Sequence, residues 1–323
     1  MKGFLFLSIF ALFMLVSCES SQNANENLDA ITASQKMTLF SLKLDSLSNA
    51  YSRRNTINST RGVVSDYTLG AAADAVGGYV GSKLFSWVGS AIGAAMGNPV
   101  VAVGGYVVGR KFGKAACSTA ASLGTAWILS KRKSRTNISS TLMLDDNYVV
   151  SIENPNNLSD GELHNLILVK LIRNIEKYEM SDNTLNYELI LEDAYNFENE
   201  YLPSEENDLY KAISMSKAVE QIKRIVNSSI LLEAENEKVF LDDVYNSLIP
   251  EVKVSKAEFD NANILSEKLL KTYIILDSNT ASELEKEVDY VIDTSNLDVN
   301  LKTELKGANS ILKNSSTIWK EVK

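Results

Sequence analysis

The stretch GSAIGAAMGNPVVAVGGYVVGRKFG, residues 89 to 113, carries glycine at 89, 93 and 97 and again at 105, 109 and 113. Helix positions four apart share one face, so this row forms a smooth groove against which a second backbone or a lipid packs closely. Followed outward in both directions, the same phase runs through Ala73, Gly77, Gly81 and Phe85 on one side and Cys117 and Ala121 on the other. Eight of the sixteen glycines fall on it: Gly77, Gly81, Gly89, Gly93, Gly97, Gly105, Gly109 and Gly113. The residues between them are Ala, Val, Ile and aromatics rather than turn formers, which argues against a loop. A helical glycine costs about 1 kcal/mol relative to alanine, so a row of them persists only where close packing offsets the loss. The expectation is a set of helices packed through these eight positions.

Gly97-Asn98-Pro99 is the natural corner in the row. Proline removes a helix donor and turns the preceding residue away from helical angles, which gives arms of about 69 to 96 and 100 to 130. Residues 68–130 therefore read as a Gly/Ala-rich αα-hairpin. This pattern resembles the glycine-zipper two-helix hairpin of bacterial outer-membrane lipoproteins of the surface-antigen type. The resemblance implies an anchored envelope protein rather than a catalyst, with a hairpin that associates with membrane lipid or with copies of itself.

Whether such a hairpin crosses a bilayer stays open at this level. The uncharged run 84–109 exceeds the roughly 20 residues one crossing needs, but Pro99 divides it. Arg110, Lys111 and Lys114 burden the second arm, and Asp74 and Lys83 the first. Each cation at a bilayer centre costs about 2.5 to 3.5 kcal/mol on insertion scales. A hairpin in the membrane and a close-packed hairpin inside a soluble fold both fit the residues.

The amino terminus carries the sharpest signal. Met1-Lys2 is a short basic start, FLFLSIFALFMLV is an apolar core too short to span, and Leu15-Val16-Ser17-Cys18 closes it with small residues before a cysteine. This ending is similar to a bacterial lipobox. The likeness implies a signal peptide over 1–17, palmitate-type acylation of Cys18 as the first mature residue, and outer-membrane sorting from Glu19. Residues 18–67 then supply a Ser/Asn-rich tether and a short amphipathic helix whose Phe40, Leu44, Leu47 and Tyr51 recur at helical spacing.

With Cys18 acylated, Cys117 has no disulfide partner, and its place in the glycine row makes it a small packing residue. A nucleophilic Cys117 needs a histidine, and the only one, His164, lies across a composition boundary. A single histidine also argues against a His-based metal site.

That boundary divides two materials. Residues 1–144 hold 14 Lys or Arg against 6 Asp or Glu, whereas 145–323 hold 18 against 35. An acidic half of net charge −17 repels nucleic acid and acidic headgroups, which excludes a nucleic-acid partner. Residues 131–157, from KRKSR to ENPNN, form the linker. Residues 158–323 read as an acidic α-helical domain. Ser159 and Glu162 make a capping box ahead of Leu163, Ile167, Leu171 and Ile175, and Thr280 with Glu283 repeats the device before Leu284, Val288 and Val291. The stretch NPNNLSDGELHNLIL, residues 154 to 168, resembles a recurring motif of uncharacterised lipoproteins of gut-type anaerobes and implies no activity.

Chemistry is sparse in this half. Asp145-Asp146, Glu205-Glu206 and Asp242-Asp243 are adjacent carboxylates with no Ca²⁺-loop pattern around them, and helix neighbours point in different directions. No G-x-S-x-G, H-E-x-x-H, Walker or C-x-x-C motif occurs. The sequence therefore predicts a mainly α protein, not an enzyme, with no cofactor and no metal. Its expected partners are membrane lipid, a possible second copy through the hairpin and a protein that meets the acidic domain. The competing reading is a bacteriocin-like protein that inserts the hairpin into a target bilayer.

Overall fold

A computed structural model describes residues 34–53, 69–74, 76–78, 80, 99–132, 149–150, 152, 157–201, 207–227, 237–247 and 255–318. The chain is mainly α-helical, as the periodicities predict. Helix α1 covers 34–53, and the helical positions within 69–80 are α2. Then follow α3 (Pro99–Arg132), α4 (Asp160–Arg173), a 3₁₀ turn (Ile175–Lys177), α5 (Tyr187–Tyr201) and α6 (Asn207–Ile225). Helices α7 (Glu237–Ser247), α8 (Lys256–Ile275), α9 (Ser278–Thr294) and α10 (Val299–Ile318) complete the described order. Pro99 takes the first position of α3, where its missing N–H has no intrahelical partner to lose.

The starts of the helices follow from side-chain capping. Ser159 accepts from the Glu162 amide while the Glu162 carboxylate accepts from the Ser159 amide, closing the box that the spacing predicts. The same reciprocal pair forms at Ser255 and Glu258, where the sequence reading placed none. At α9 the cap is Asp277 rather than Thr280. The Asp277 carboxylate accepts from the Asn279 and Thr280 amides and from the Thr280 hydroxyl, so the helix begins at Ser278. Carboxylate outcompetes hydroxyl here because a charged acceptor serves several donors at once.

Core formation joins the two materials. On α1, Phe40, Leu44 and Tyr51 are buried, and Leu47 packs against the core. Residues 113–126 of α3 are buried without exception, and Ser118, Thr119, Ser122 and Thr125 are enclosed along with the alanines. A helix enclosed on every side needs neighbours on every side. Helices α4, α5 and α6 all pack on α3. One continuous hydrophobic cluster runs from Phe40 through Ala121, Leu163 and Leu191 to Ile318. The Gly/Ala-rich helix and the acidic helices therefore share a core.

Glycine allows α2 to reach this core. A Cβ placed on Gly77 would stand 2.7 Å from Ala121 Cβ and 2.8 Å from the Cys117 carbonyl oxygen, so the α2 and α3 backbones nearly touch. Gly77, Cys117 and Ala121 all belong to the four-residue phase. Gly124, outside that phase, is enclosed as well, with Tyr187 and Val226 of the α5 and α6 regions below 3.0 Å from its absent Cβ. Among the described residues, no helix is long and apolar enough to cross a membrane.

Candidate functional site

Where α2, α3 and α4 meet, a set of polar side chains is sealed inside the core. Asp74 of α2, Ser122 of α3 and His164 of α4 have no exposed surface, and Asn165 is buried beside them. Helix spacing places them. Ser122 lies one turn beyond Ser118, with its Oγ 3.0 Å from the Ser118 carbonyl oxygen, and His164 sits one turn into α4, behind the Ser159 cap. Gly161 lets that turn approach α10 closely: its amide donates to Ser310 Oγ at 3.1 Å, and a Cβ there would strike the Ser310 carbonyl.

The contacts form a chain across four helices. Ser122 Oγ donates to Asp74 Oδ1 and stands 2.9 Å from His164 Nε2. Asp74 Oδ2 lies 3.9 Å from the same ring nitrogen. His164 Nδ1 is 3.0 Å from Asn165 Oδ1, and Asn165 Nδ2 donates to the Asn314 carbonyl of α10 at 3.0 Å. Each oxygen facing the ring is thus oriented as an acceptor, because the Ser122 proton and the Asn165 amide are directed elsewhere. A neutral imidazole supplies one N–H for these two acceptors, whereas an imidazolium supplies two. Burial opposes the charged form and holds the His164 pKa below its ordinary value. The Asp74 carboxylate and the Asn165 hydrogen bond pull the other way with less effect.

Serine, histidine and an Asn or Asp in hydrogen-bonded sequence is the order of groups found in nucleophilic sites. The surroundings differ from such a site in two ways. None of the three groups reaches solvent, and Ser122 sits within a continuous helix whose amides bond internally rather than facing a developing oxyanion. What the arrangement does in this state is bond α2, α3, α4 and α10 through one buried polar chain.

A second buried set lies two turns away on α3. Lys114 Nζ bonds Asp160 Oδ2 at 3.0 Å and Glu304 Oε2 at 3.5 Å, and its side chain is almost fully buried. Gly307 makes the space: a Cβ on it would overlap the ammonium. On another side of α3, Cys117 is a free, buried thiol whose pKa is pushed far up, first by burial and then by the Glu198 carboxylate. His164 is bonded to Ser122 and Asn165, not to Cys117. Among the described residues, no group of three or more His, Cys, Asp or Glu is placed to hold a metal ion.

The predicted positions distribute as follows. Gly77 meets α3 as described, and Gly113 is buried on α3. Gly105 and Gly109 lie on α3 upstream of the residues whose packing is described. Cys18, Gly81, Gly89, Gly93 and Gly97 lie outside the described residues. Sequence reasoning took Asp74 only as a charge burdening the first arm, and missed Ser122 and Asn165 altogether. The available signal was a run of hydroxyls, Ser118, Thr119, Ser122 and Thr125, within an Ala-rich stretch of helix, with a carboxylate in the preceding arm and a lone histidine elsewhere in the chain.

No protein-family model, curated protein or solved structure matches this chain.

Proposed function

We propose that the chain is a lipid-anchored protein of the bacterial cell envelope, held at the outer membrane through acylated Cys18. In this reading the glycine row packs α2 and α3 as a hairpin inside the molecule, and the acidic helices present a surface to a protein partner. The observation that carries the anchor is the Leu15-Val16-Ser17-Cys18 ending behind an apolar core, and the near-contact of Gly77 with the Cys117 carbonyl supports the hairpin as packed inside the molecule. The ion pairs of Lys114 with Asp160 and Glu304 support it from the neighbouring turn. A hairpin inserted in a bilayer keeps the α2–α3 contact but gives up these ion pairs, and carries Lys114 into hydrocarbon without Asp160 and Glu304.

The test is fractionation of cells with and without Cys18→Ala, together with metabolic labelling by a palmitate analogue. Label and membrane association in the wild type, lost together in the variant, is the expected result. Equal labelling of both overturns the anchor. Dye release from liposomes by the protein stripped of its lipid overturns the interaction reading in favour of a membrane-active, bacteriocin-like protein.

A further inference from the structure

On helix α1, the face turned away from the core carries two large apolar side chains, Leu39 at 63% and Leu42 at 58% of full exposure. Three residues apart, they lie side by side on one face. The opposite face is fully committed to the protein. Phe40, Leu44 and Tyr51 are buried, Tyr51 donates to Glu287 of α9, and Ser48 and Ser52 bond Thr272 of α8. The exposed leucines are therefore not a disordered edge of the core but a patch held rigidly outward.

Charge is distributed around the patch in one sense. Lys36 and Lys43 are exposed one turn to either side of Leu39, and Arg53 is exposed at the far end of the helix. The one acidic side chain on α1, Asp45, lies on the other flank and is engaged by Lys268. The remainder of the described fold beyond α3 belongs to the half of the chain with net charge −17. A negatively charged plane approached by this molecule attracts the exposed cations of α1 and repels α5, whose sequence holds carboxylates and no cation.

Position supplies the occupant. Fifteen residues separate Cys18 from Ser34, a tether with an extended reach of about 50 Å and a coil dimension of about 20 Å. Helix α1 is thus the described element nearest the anchor along the chain, where a weak surface contact becomes effectively intramolecular. We propose that Leu39 and Leu42, flanked by Lys36 and Lys43, dock α1 onto the anionic surface of the bilayer that holds Cys18. This inference rests on the anchoring proposed above.

The experiment uses the lipidated full-length protein in vesicles of phosphatidylethanolamine and phosphatidylglycerol with brominated acyl chains. An environment-sensitive dye is attached at Leu39→Cys, or at Tyr290→Cys on α9 as an exposed control on a second helix; native Cys117 is buried and does not compete. The expected result is quenching several-fold stronger at position 39 than at 290, abolished by Lys36→Glu/Lys43→Glu. Vesicles that float with the protein while the two dyes respond alike overturn the docking face and leave the anchor standing. Wild-type protein that fails to float overturns the anchor and the docking face together. Pyrene excimer emission at position 39 without quenching assigns the patch to a second copy of the chain and overturns the lipid assignment.

Discussion

Ser122 Oγ lies 2.9 Å from His164 Nε2 at a point in the core where neither residue has any exposed surface. Across 42 residues of sequence, this contact and the Ser122 bond to Asp74 connect the Gly/Ala-rich helices to the first helix of the acidic half. Replacing Ser122 by alanine deletes the group that serves both. The expected loss is about 1 to 3 kcal/mol, the cost of leaving a buried polar group unbonded. Urea unfolding with an unchanged m-value is the measurement; a loss below about 0.5 kcal/mol contradicts a bonded cluster.

The same histidine predicts an acid-sensitive fold. His164 is the only histidine, and its folded pKa lies below the ordinary 6.5 mainly because burial disfavours the imidazolium. As pH falls through 6.5 the unfolded chain takes a proton that the folded chain refuses, so stability falls with pH until the lowered folded value is reached. The slope is at most about 1.4 kcal/mol per pH unit. Asp289 acts oppositely at lower pH, because burial raises its carboxyl pKa and protonation then favours the fold. His164→Gln is expected to flatten the profile just below 6.5, while Asp74→Asn removes the carboxylate that pulls the His164 pKa upward and extends the loss to lower pH. Identical pH profiles for wild type and His164→Gln would place the sensitivity elsewhere.

Gly77 tests the close approach of α2 to α3. Even alanine brings a Cβ to 2.8 Å from the Cys117 carbonyl, a backbone atom that cannot rotate aside. Gly77→Ala is expected to lose about 1 to 3 kcal/mol by overpacking, and Gly77→Leu more. At an exposed helix position the same Gly→Ala change gains up to about 1 kcal/mol, so the sign of the change in thermal midpoint decides.

Lys114 tests the joint between α3, α4 and α10. Lys114→Ala leaves Asp160 and Glu304 facing each other without their cation and is expected to cost about 3 to 5 kcal/mol. Lys114→Met combined with Glu304→Gln removes charge from both sides and should recover part of that loss. Non-additivity in this double-mutant cycle is the readout, and additive losses argue against coupling.

Much of the secondary structure was legible because it rests on local periodicity. The Ser159–Glu162 box and the Leu163, Ile167, Leu171 stripe are where the spacing places them. The cap at Asp277 was misread because a nearby Thr-x-x-Glu imitates the box, and only the geometry shows which oxygen the amides choose. Lys114 read as a burden on an apolar arm because its partners lie 46 and 190 residues further along the chain. Asp74, Ser122 and His164 escaped for the same reason. No spacing rule links a carboxylate in one helix to a hydroxyl 48 residues later, and each residue alone matches an ordinary polar interruption.

The last helix closes contacts begun near the start of the described fold. Gly78 faces Ile311, Lys114 reaches Glu304, Gly161 rests on Ser310, and Asn165 bonds the Asn314 carbonyl. A chain that becomes available amino terminus first cannot make these contacts until residues Val299–Ile318 are free to fold. Until then α3 has an open side, and its buried charges lack part of their neutralising shell. Closure of the core around α3 therefore waits on α10, the helix that completes its polar and apolar neighbours.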